Sequence, residues 1–141
     1  MKAFNVNGVI YTTMDYYFSK TVSTSYDEAI RRTTEALQSE GFGVISEIKM
    51  HDKLKEKLNV EFKKYTILGA CNPPFAYKAL QAEDKIGTML PCNVLVIEQA
   101  PGEIEIAAVN PIASMMAITN PALGEIAQLV TDKLQRVIAT L

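Results

Sequence analysis

The feature that most restricts the fold of this chain is a pair of apolar segments joined by a proline-glycine turn. The run Val94-Leu95-Val96-Ile97 is apolar at every position, which predicts a strand that is covered on both faces of a sheet. Pro101-Gly102 is typical of a type II turn, because proline fixes the first central φ and glycine accepts a positive φ at the second. Glu103 to Val109 then returns as the second strand. The sequence therefore predicts an antiparallel hairpin whose first strand, Asn93 to Glu98, is central.

Three further segments have the composition and periodicity of strands, and these are Tyr16 to Ser23, Val44 to Met50, and Phe62 to Ala70. In the second segment, Val44, Ile48 and Met50 are expected to share one face. Glu47 and Lys49 are expected on the opposite face, so the sheet would have one solvated side.

Two long helices flank these strands. Ser25 and Glu28 form a capping-box pattern, in which each side chain satisfies an unpaired backbone N–H of the first helical turn. Gly41 predicts the end of this helix, since it tolerates the positive φ of a helix C-terminus. Asn120-Pro121 predicts the start of the last helix, which carries an apolar stripe as far as Leu141.

Two short helices are predicted on either side of the third strand. Asp52 is expected to cap the first one, and Asn72-Pro73 supplies a cap and a first-turn proline for the second, which runs to about Gln81. The order of the main elements is β-α-β4-α. It predicts an α+β domain with a mainly antiparallel sheet and both long helices on one face.

The length of 141 residues fits one domain, which we place at residues 15–141 after an N-terminal extension of residues 1–14. Within the extension, Phe4 to Tyr11 fits either a hairpin around Asn7-Gly8 or a loose tail. No apolar run reaches the ~20 residues of a membrane span, and the N-terminus lacks the pattern of a signal peptide. A cytoplasmic protein with reduced thiols is therefore expected.

The only two cysteines lie in mirrored loops, Cys71-Asn72-Pro73 and Pro91-Cys92-Asn93. Because their strands are expected to be neighbours, the loops could meet at one end of the sheet, with Cys71, Asn72, Cys92 and Asn93 as a candidate thiol or ligand site. Cys71 precedes a helix N-terminus, where the helix dipole favours a thiolate. The alternative interpretation is that both thiols only pack in the core, as free cysteines often do.

Other chemistry has weaker support in the sequence. His51 could join Cys71 and Cys92 around a metal, but a structural zinc site needs four ligands at recognisable spacing, and a turn residue is the simpler interpretation. Met89 and Met115-Met116 could line an adaptable apolar pocket or pack in the core. No catalytic motif is present, so no catalytic residue and no cofactor is predicted. The net charge of −2 and the pI of about 5.4 argue against nucleic-acid binding.

The central motifs resemble the bacterial family known as domain of unknown function 302. The resemblance rests on Lys64 to Pro74, Ala76 to Leu80, Gly87, Leu90 to Val94 and Asn110-Pro111, and it runs from about Tyr16 to the C-terminus. It implies a fold similar to the TATA-binding-protein-like arrangement, one copy per chain, and a homodimer. Similarity to a DNA-bending fold is not evidence of DNA binding.

The resemblance implies no function, so three hypotheses remain. The first is a non-enzymatic homodimeric domain that binds a small ligand or a partner protein. The second is thiol redox chemistry or soft-metal binding through Cys71 and Cys92. The third and least favoured is nucleic-acid binding by the sheet.

Overall fold

The structure is a computed structural model that describes residues 15–141 in full and the backbone of residues 2–6 and 9–13. Lys2–Val6 (β1) and Val9–Thr13 (β2) pair antiparallel as a separate two-stranded sheet. The turn predicted at Asn7-Gly8 lies outside the described residues.

A five-stranded antiparallel sheet forms the centre of the domain. Its strands have the spatial order β3-β7-β6-β5-β4. In chain order they are Tyr17–Ser23 (β3), Gly43–Lys49 (β4), Tyr65–Cys71 (β5), Cys92–Ala100 (β6) and Glu103–Val109 (β7). The predicted hairpin is confirmed, because β6 is the central strand and Gly102 has a φ of 79°.

In the part of the chain that the structure describes, six helical segments accompany the sheet, and they are Tyr26–Ser39 (α1), Met50–Leu58 (α2), Pro73–Ala82 (α3), the 3₁₀ helix Asp84–Met89, Pro111–Ser114 (α4) and Pro121–Ala139 (α5). The two long helices, α1 and α5, pack on one face of the sheet, as predicted. Their apolar stripes and the covered sheet face form the core, which includes Leu37, Leu68, Val94, Ile104, Ile106 and Leu134. The fold class is therefore α+β. None of the helices in the described residues combines the length and the apolar composition that a membrane span requires.

The ends of α1 follow the sequence signals. Ser25 Oγ accepts a hydrogen bond of 3.2 Å from the backbone N–H of Glu28. The Glu28 carboxylate binds Arg31 instead of closing the capping box, and this pairing lowers the pKa of Glu28 to about 2. Gly41 has a φ of 86°, and the N–H of Phe42 donates to the Leu37 carbonyl at 3.0 Å, which completes a Schellman motif.

Strand β4 differs from the prediction. A bulge between Val44 and Ser46 inserts an extra residue, so the side-chain alternation changes phase within the strand. Val44 pairs with Ala70 on the helix-covered face, whereas Ile48 pairs with Ile67 on the open face. The expectation that Val44 and Ile48 share a face was therefore wrong, and Glu47 and Lys49 lie on the helix-covered side at the sheet edge.

Two boundaries and two elements were also missed. Strand β5 begins at Tyr65 rather than Phe62, and α2 begins at Met50, so Asp52 lies within its first turn and does not cap it. The 3₁₀ helix and α4 were not predicted as elements, because each is too short to show a helical repeat.

Candidate functional site

A cavity of about 220 Å³ lies at the end of the sheet where β5 ends and β6 begins. Cys71 is the last residue of β5 and Cys92 is the first residue of β6, and Ala70 is the direct strand partner of Cys92. Both cysteines line the cavity, which is covered by α3 and α5. The structure therefore brings the two mirrored loops together, as the strand order suggested.

The cavity exists because alanine occupies several of the surrounding positions. Ala70 of β5, Ala76 and Ala79 of α3, and Ala127 of α5 all line it. Each contributes one methyl group where a larger side chain would fill the space between sheet and helices. Protein interiors contain few voids larger than a water molecule. An engineered apolar cavity of ~150 Å³ is already large enough to bind benzene. This cavity is therefore of a size that admits a small molecule.

The two thiols differ in their surroundings. Neither is in a disulfide; Cys92 is buried and Cys71 is half-buried. Burial, with a smaller contribution from the charge of Cys71, raises the pKa of the Cys92 thiol to about 11. Cys92 therefore keeps its proton at neutral pH, which disfavours it as a nucleophile.

Asn72 occupies the N-cap position of α3, but its side chain makes no cap hydrogen bond. An N-cap oxygen normally accepts from the N–H of the second or third helical residue. Here the second residue is Pro74, which has no N–H, and the N–H of the third residue, Phe75, does not donate to the Asn72 side chain. The side chain is 8% exposed, lines the cavity, and donates from Nδ2 to the Glu40 carbonyl at 3.3 Å. Capping therefore explains the position of Asn72 but not the role of its side chain.

Asn93 lies on the other side of the sheet. Successive residues of a strand point to opposite faces, so Cys92 faces the helices and Asn93 faces the open side. There Asn93 lines a shallow hollow of about 380 Å³ together with Tyr17, Tyr65 and Leu95. The predicted site is thus divided, and only Cys71, Asn72 and Cys92 share the cavity.

His51 is remote from the cysteines, because it contacts the opposite end of β5. Its Nδ1 accepts a 2.9 Å hydrogen bond from the backbone N–H of Tyr65, and its Nε2 lies 3.8 Å from an Asp52 carboxylate oxygen. Among the described residues, no three His, Cys, Asp or Glu side chains are grouped so that they could hold a metal ion. The geometry offers no support for a site built from His51, Cys71 and Cys92.

Of the three methionines singled out from the sequence, Met115 lines the cavity. Met116 and Met89 are exposed, by 72% and 39% respectively. The role of α5 in lining the cavity was not predicted, because Ile126 and Ala127 are ordinary residues for an amphipathic helix. The one sequence feature that indicates the site is the pair of prolines after Asn72. Because Pro74 has no N–H, it predicts that the asparagine oxygen lacks its usual hydrogen-bond donor.

Comparison with known proteins finds similarity to a family model and to solved structures. A family model described as "Domain of unknown function DUF302" matches residues 18–141. A crystal structure of an uncharacterized conserved protein DUF302 from Bacillus stearothermophilus is 33% identical, with a TM-score of 0.80, and the match covers 88% of this chain and 96% of that chain. No curated protein matches the chain.

Proposed function

The chain belongs to the DUF302 family, and we propose that its fold serves here as a non-enzymatic binding domain for a small, apolar, uncharged ligand. The observation that carries this proposal is the 220 Å³ cavity beside Cys71 and Cys92. The cavity reaches the surface, since Ile45 on its rim is 65% exposed and Phe75 is half-buried. A ligand therefore has a path into it.

The lining selects against charged ligands. None of the described residues that line the cavity carries a charge, and the high pKa of Cys92 keeps that thiol neutral. An ion placed there would lose its hydration without gaining a counter-charge, which costs far more than burying an apolar group. A neutral apolar molecule gains about 25 cal/mol for each Å² of apolar surface that it removes from water.

Titration with toluene, followed by amide chemical shifts, tests the proposal. We expect shifts confined to residues around the cavity and a Kd of about 0.1–1 mM, which is typical for seven heavy atoms in an apolar pocket. Ala76→Leu places a larger side chain at the cavity wall and should weaken binding at least about tenfold, whereas the matched change Ala122→Leu, at an exposed position of α5, should not. Equal binding by both variants, or no binding to the unmodified protein, would contradict the proposal.

Thiol redox chemistry or soft-metal binding is the second candidate, because Cys71 and Cys92 line one cavity and the charge of Cys71 affects the pKa of Cys92. In the redox version, glutathione disulfide takes two electrons and two protons from the two thiols. One internal disulfide and two glutathione molecules result. In the metal version, both thiols lose their protons to solvent and bind Cu(I) as thiolates. Burial of Cys92 opposes both, since both require its thiolate.

Mass spectrometry separates these alternatives. A redox pair loses two hydrogen atoms after treatment with glutathione disulfide, and a copper site retains one Cu(I) against a competing chelator. Unchanged mass and no retained copper would eliminate the second candidate. Cys71→Ser is the control, because it removes one partner from either reaction.

We further propose that the domain is a cytoplasmic homodimer that pairs through the open face of the sheet. Tyr17 and Leu95 supply partly exposed apolar surface there, and two free thiols fit a reducing compartment. Leu95→Glu should then shift the sedimentation-equilibrium mass from dimer to monomer, whereas Gln38→Glu, at an exposed position of α1, should not. A monomeric unmodified protein at about 100 μM would exclude a dimer of ordinary affinity. Nucleic-acid binding stays the least favoured hypothesis, and a DNA titration without binding at low salt would remove it.

A further inference from the structure

Three helices of this domain start with asparagine followed by proline, and two of the asparagines behave alike. Asn110 Oδ1 accepts a 3.1 Å hydrogen bond from the N–H of Ile112. Asn120 Oδ1 accepts a 3.1 Å hydrogen bond from the N–H of Ala122. In each case the donor is the second helical residue, which is the usual partner of an N-cap oxygen.

The amide nitrogens of these asparagines also behave alike. Nδ2 of Asn110 donates to the Asp15 carbonyl at 3.0 Å, and Nδ2 of Asn120 donates to the Ala82 carbonyl at 2.8 Å. Each side chain therefore holds a helix start with its oxygen and a distant chain segment with its nitrogen. Both halves of the amide are satisfied.

Asn72 repeats only half of this arrangement. Its Nδ2 donates to the Glu40 carbonyl, which matches the other two asparagines. Its oxygen has no equivalent partner, because Pro74 stands at the second helical position. In the part of the chain that the structure describes, no group donates to Asn72 Oδ1. Yet the residue is more than nine-tenths buried and lines the apolar cavity.

Because no described protein group donates to this amide oxygen, only water or a ligand can, and a ligand that supplies an O–H or N–H satisfies it directly. The same hydroxyl would be unfavourable in a purely apolar cavity, because it would lose its water without replacement. Among the polar side-chain groups that line the cavity, the thiols are weak acceptors, whereas an amide oxygen is a strong one. The cavity therefore distinguishes a ligand with a donor from one without.

We propose that Asn72 Oδ1 is the polar anchor of the cavity and that the ligand is a small apolar molecule with one uncharged hydrogen-bond donor, of the phenol or indole class. This inference rests on the proposed function, since it assigns a ligand class to the same cavity. Pro74 is then a specificity-determining residue, because its missing N–H keeps the asparagine oxygen available to the ligand.

The test compares phenol with toluene, which have the same number of heavy atoms and differ in one donor. Pro74→Ala restores an N–H at the second helical position, and Asn72 Oδ1 should then accept from it as the other two asparagines do. We expect phenol affinity relative to toluene to fall about 3- to 10-fold in this variant, the value of one hydrogen bond. Pro73→Ala is the matched control, because the first helical N–H is not the usual cap donor. Its ratio of phenol affinity to toluene affinity should equal that of the unmodified protein.

A second measurement needs no variant. The side-chain amide resonances of Asn72 should shift with phenol and not with toluene. If toluene and phenol bind, but neither the ratio nor the resonances respond, the ligand class is wrong while the cavity remains a binding site. If neither probe binds to the unmodified protein, the ligand class and the proposed function are both wrong.

Discussion

The buried thiol of Cys92 should make the domain lose stability in alkaline solution. Burial raises its pKa from 9.0 to about 11, so the native state retains the thiol proton at pH values where the unfolded chain has released it. The unfolding free energy therefore falls as pH rises. The contribution is fully present below about pH 9 and is lost as pH passes through about 11.

The size of the effect follows from the shift. Two pKa units correspond to about 3 kcal/mol at most, of which about 2 kcal/mol is lost by pH 11, where the native thiol is half ionised. Tyr26 and Tyr65 also have pKa values raised by burial. They add to the loss of unfolding free energy at alkaline pH in every variant that retains them. The contribution of Cys92 is therefore isolated by comparing the pH dependence of stability between the unmodified protein and a variant without this thiol.

Urea denaturation at pH 8, 9, 10 and 11, on the unmodified protein and on Cys92→Ala, measures that difference. The unmodified protein should lose about 2 kcal/mol more than the variant between pH 8 and pH 11. Cys71→Ala is the control and should keep most of the pH dependence, since the charge of Cys71 is the smaller cause of the shift. Parallel pH profiles for the unmodified protein and Cys92→Ala would refute the reasoning and reopen thiolate chemistry at Cys92.

Three other changes have expected outcomes in thermal or urea denaturation. Thr131 Oγ1 is buried with no hydrogen-bond partner among the described residues, so Thr131→Val should stabilise the domain by about 1 kcal/mol. Thr33→Val is the control and should destabilise it by a similar amount, because the Thr33 hydroxyl donates to a backbone carbonyl at 2.7 Å. Gly69→Ala should destabilise by about 1–3 kcal/mol, because the new methyl group would collide with the Ser46 hydroxyl, and a Ser46→Ala background should recover part of the loss. Deletion of residues 1–14 should leave the melting temperature within about 3 °C; a larger fall would show that the extension is part of the domain.

The parts of the fold that the sequence predicted are those set by neighbouring residues. Ser25 and Gly41 delimit α1 through backbone groups within a few positions of each other, and Pro101-Gly102 shapes the hairpin in the same local way. The α+β class and the placement of both long helices on one face then follow from burying their apolar stripes. The TATA-binding-protein-like arrangement stays a prediction.

The phase of β4 could not be predicted locally, because the bulge depends on the neighbouring strand. Ser46 stands opposite Gly69, where the absence of a side chain leaves room for the Ser46 hydroxyl. The two residues are 23 positions apart in sequence, so no window around β4 contains the cause. The face occupied by Ile48 follows from that tertiary contact.

The positions of the candidate site residues followed in part from the sequence, and their role stays a prediction. The meeting of Cys71 and Cys92 followed from the expected strand order, whereas the inclusion of Asn93 overlooked the alternation of side chains along β6. The cavity itself has no sequence signature, since alanine in a helix is ordinary and becomes informative only when several alanines converge in space. Which residues converge is a property of the fold.

The position of β3 in the sheet has a consequence for biosynthesis. This strand is the first of the domain to leave the ribosome, yet its only partner in the five-stranded sheet is β7, the last strand of the domain, and Tyr17 pairs with Val109. Until β7 has been made, the backbone groups of β3 have no ladder to join, and the apolar side of α1 has only part of its final support. The nascent chain therefore stays open through most of its synthesis, and the domain closes only when its two ends come together.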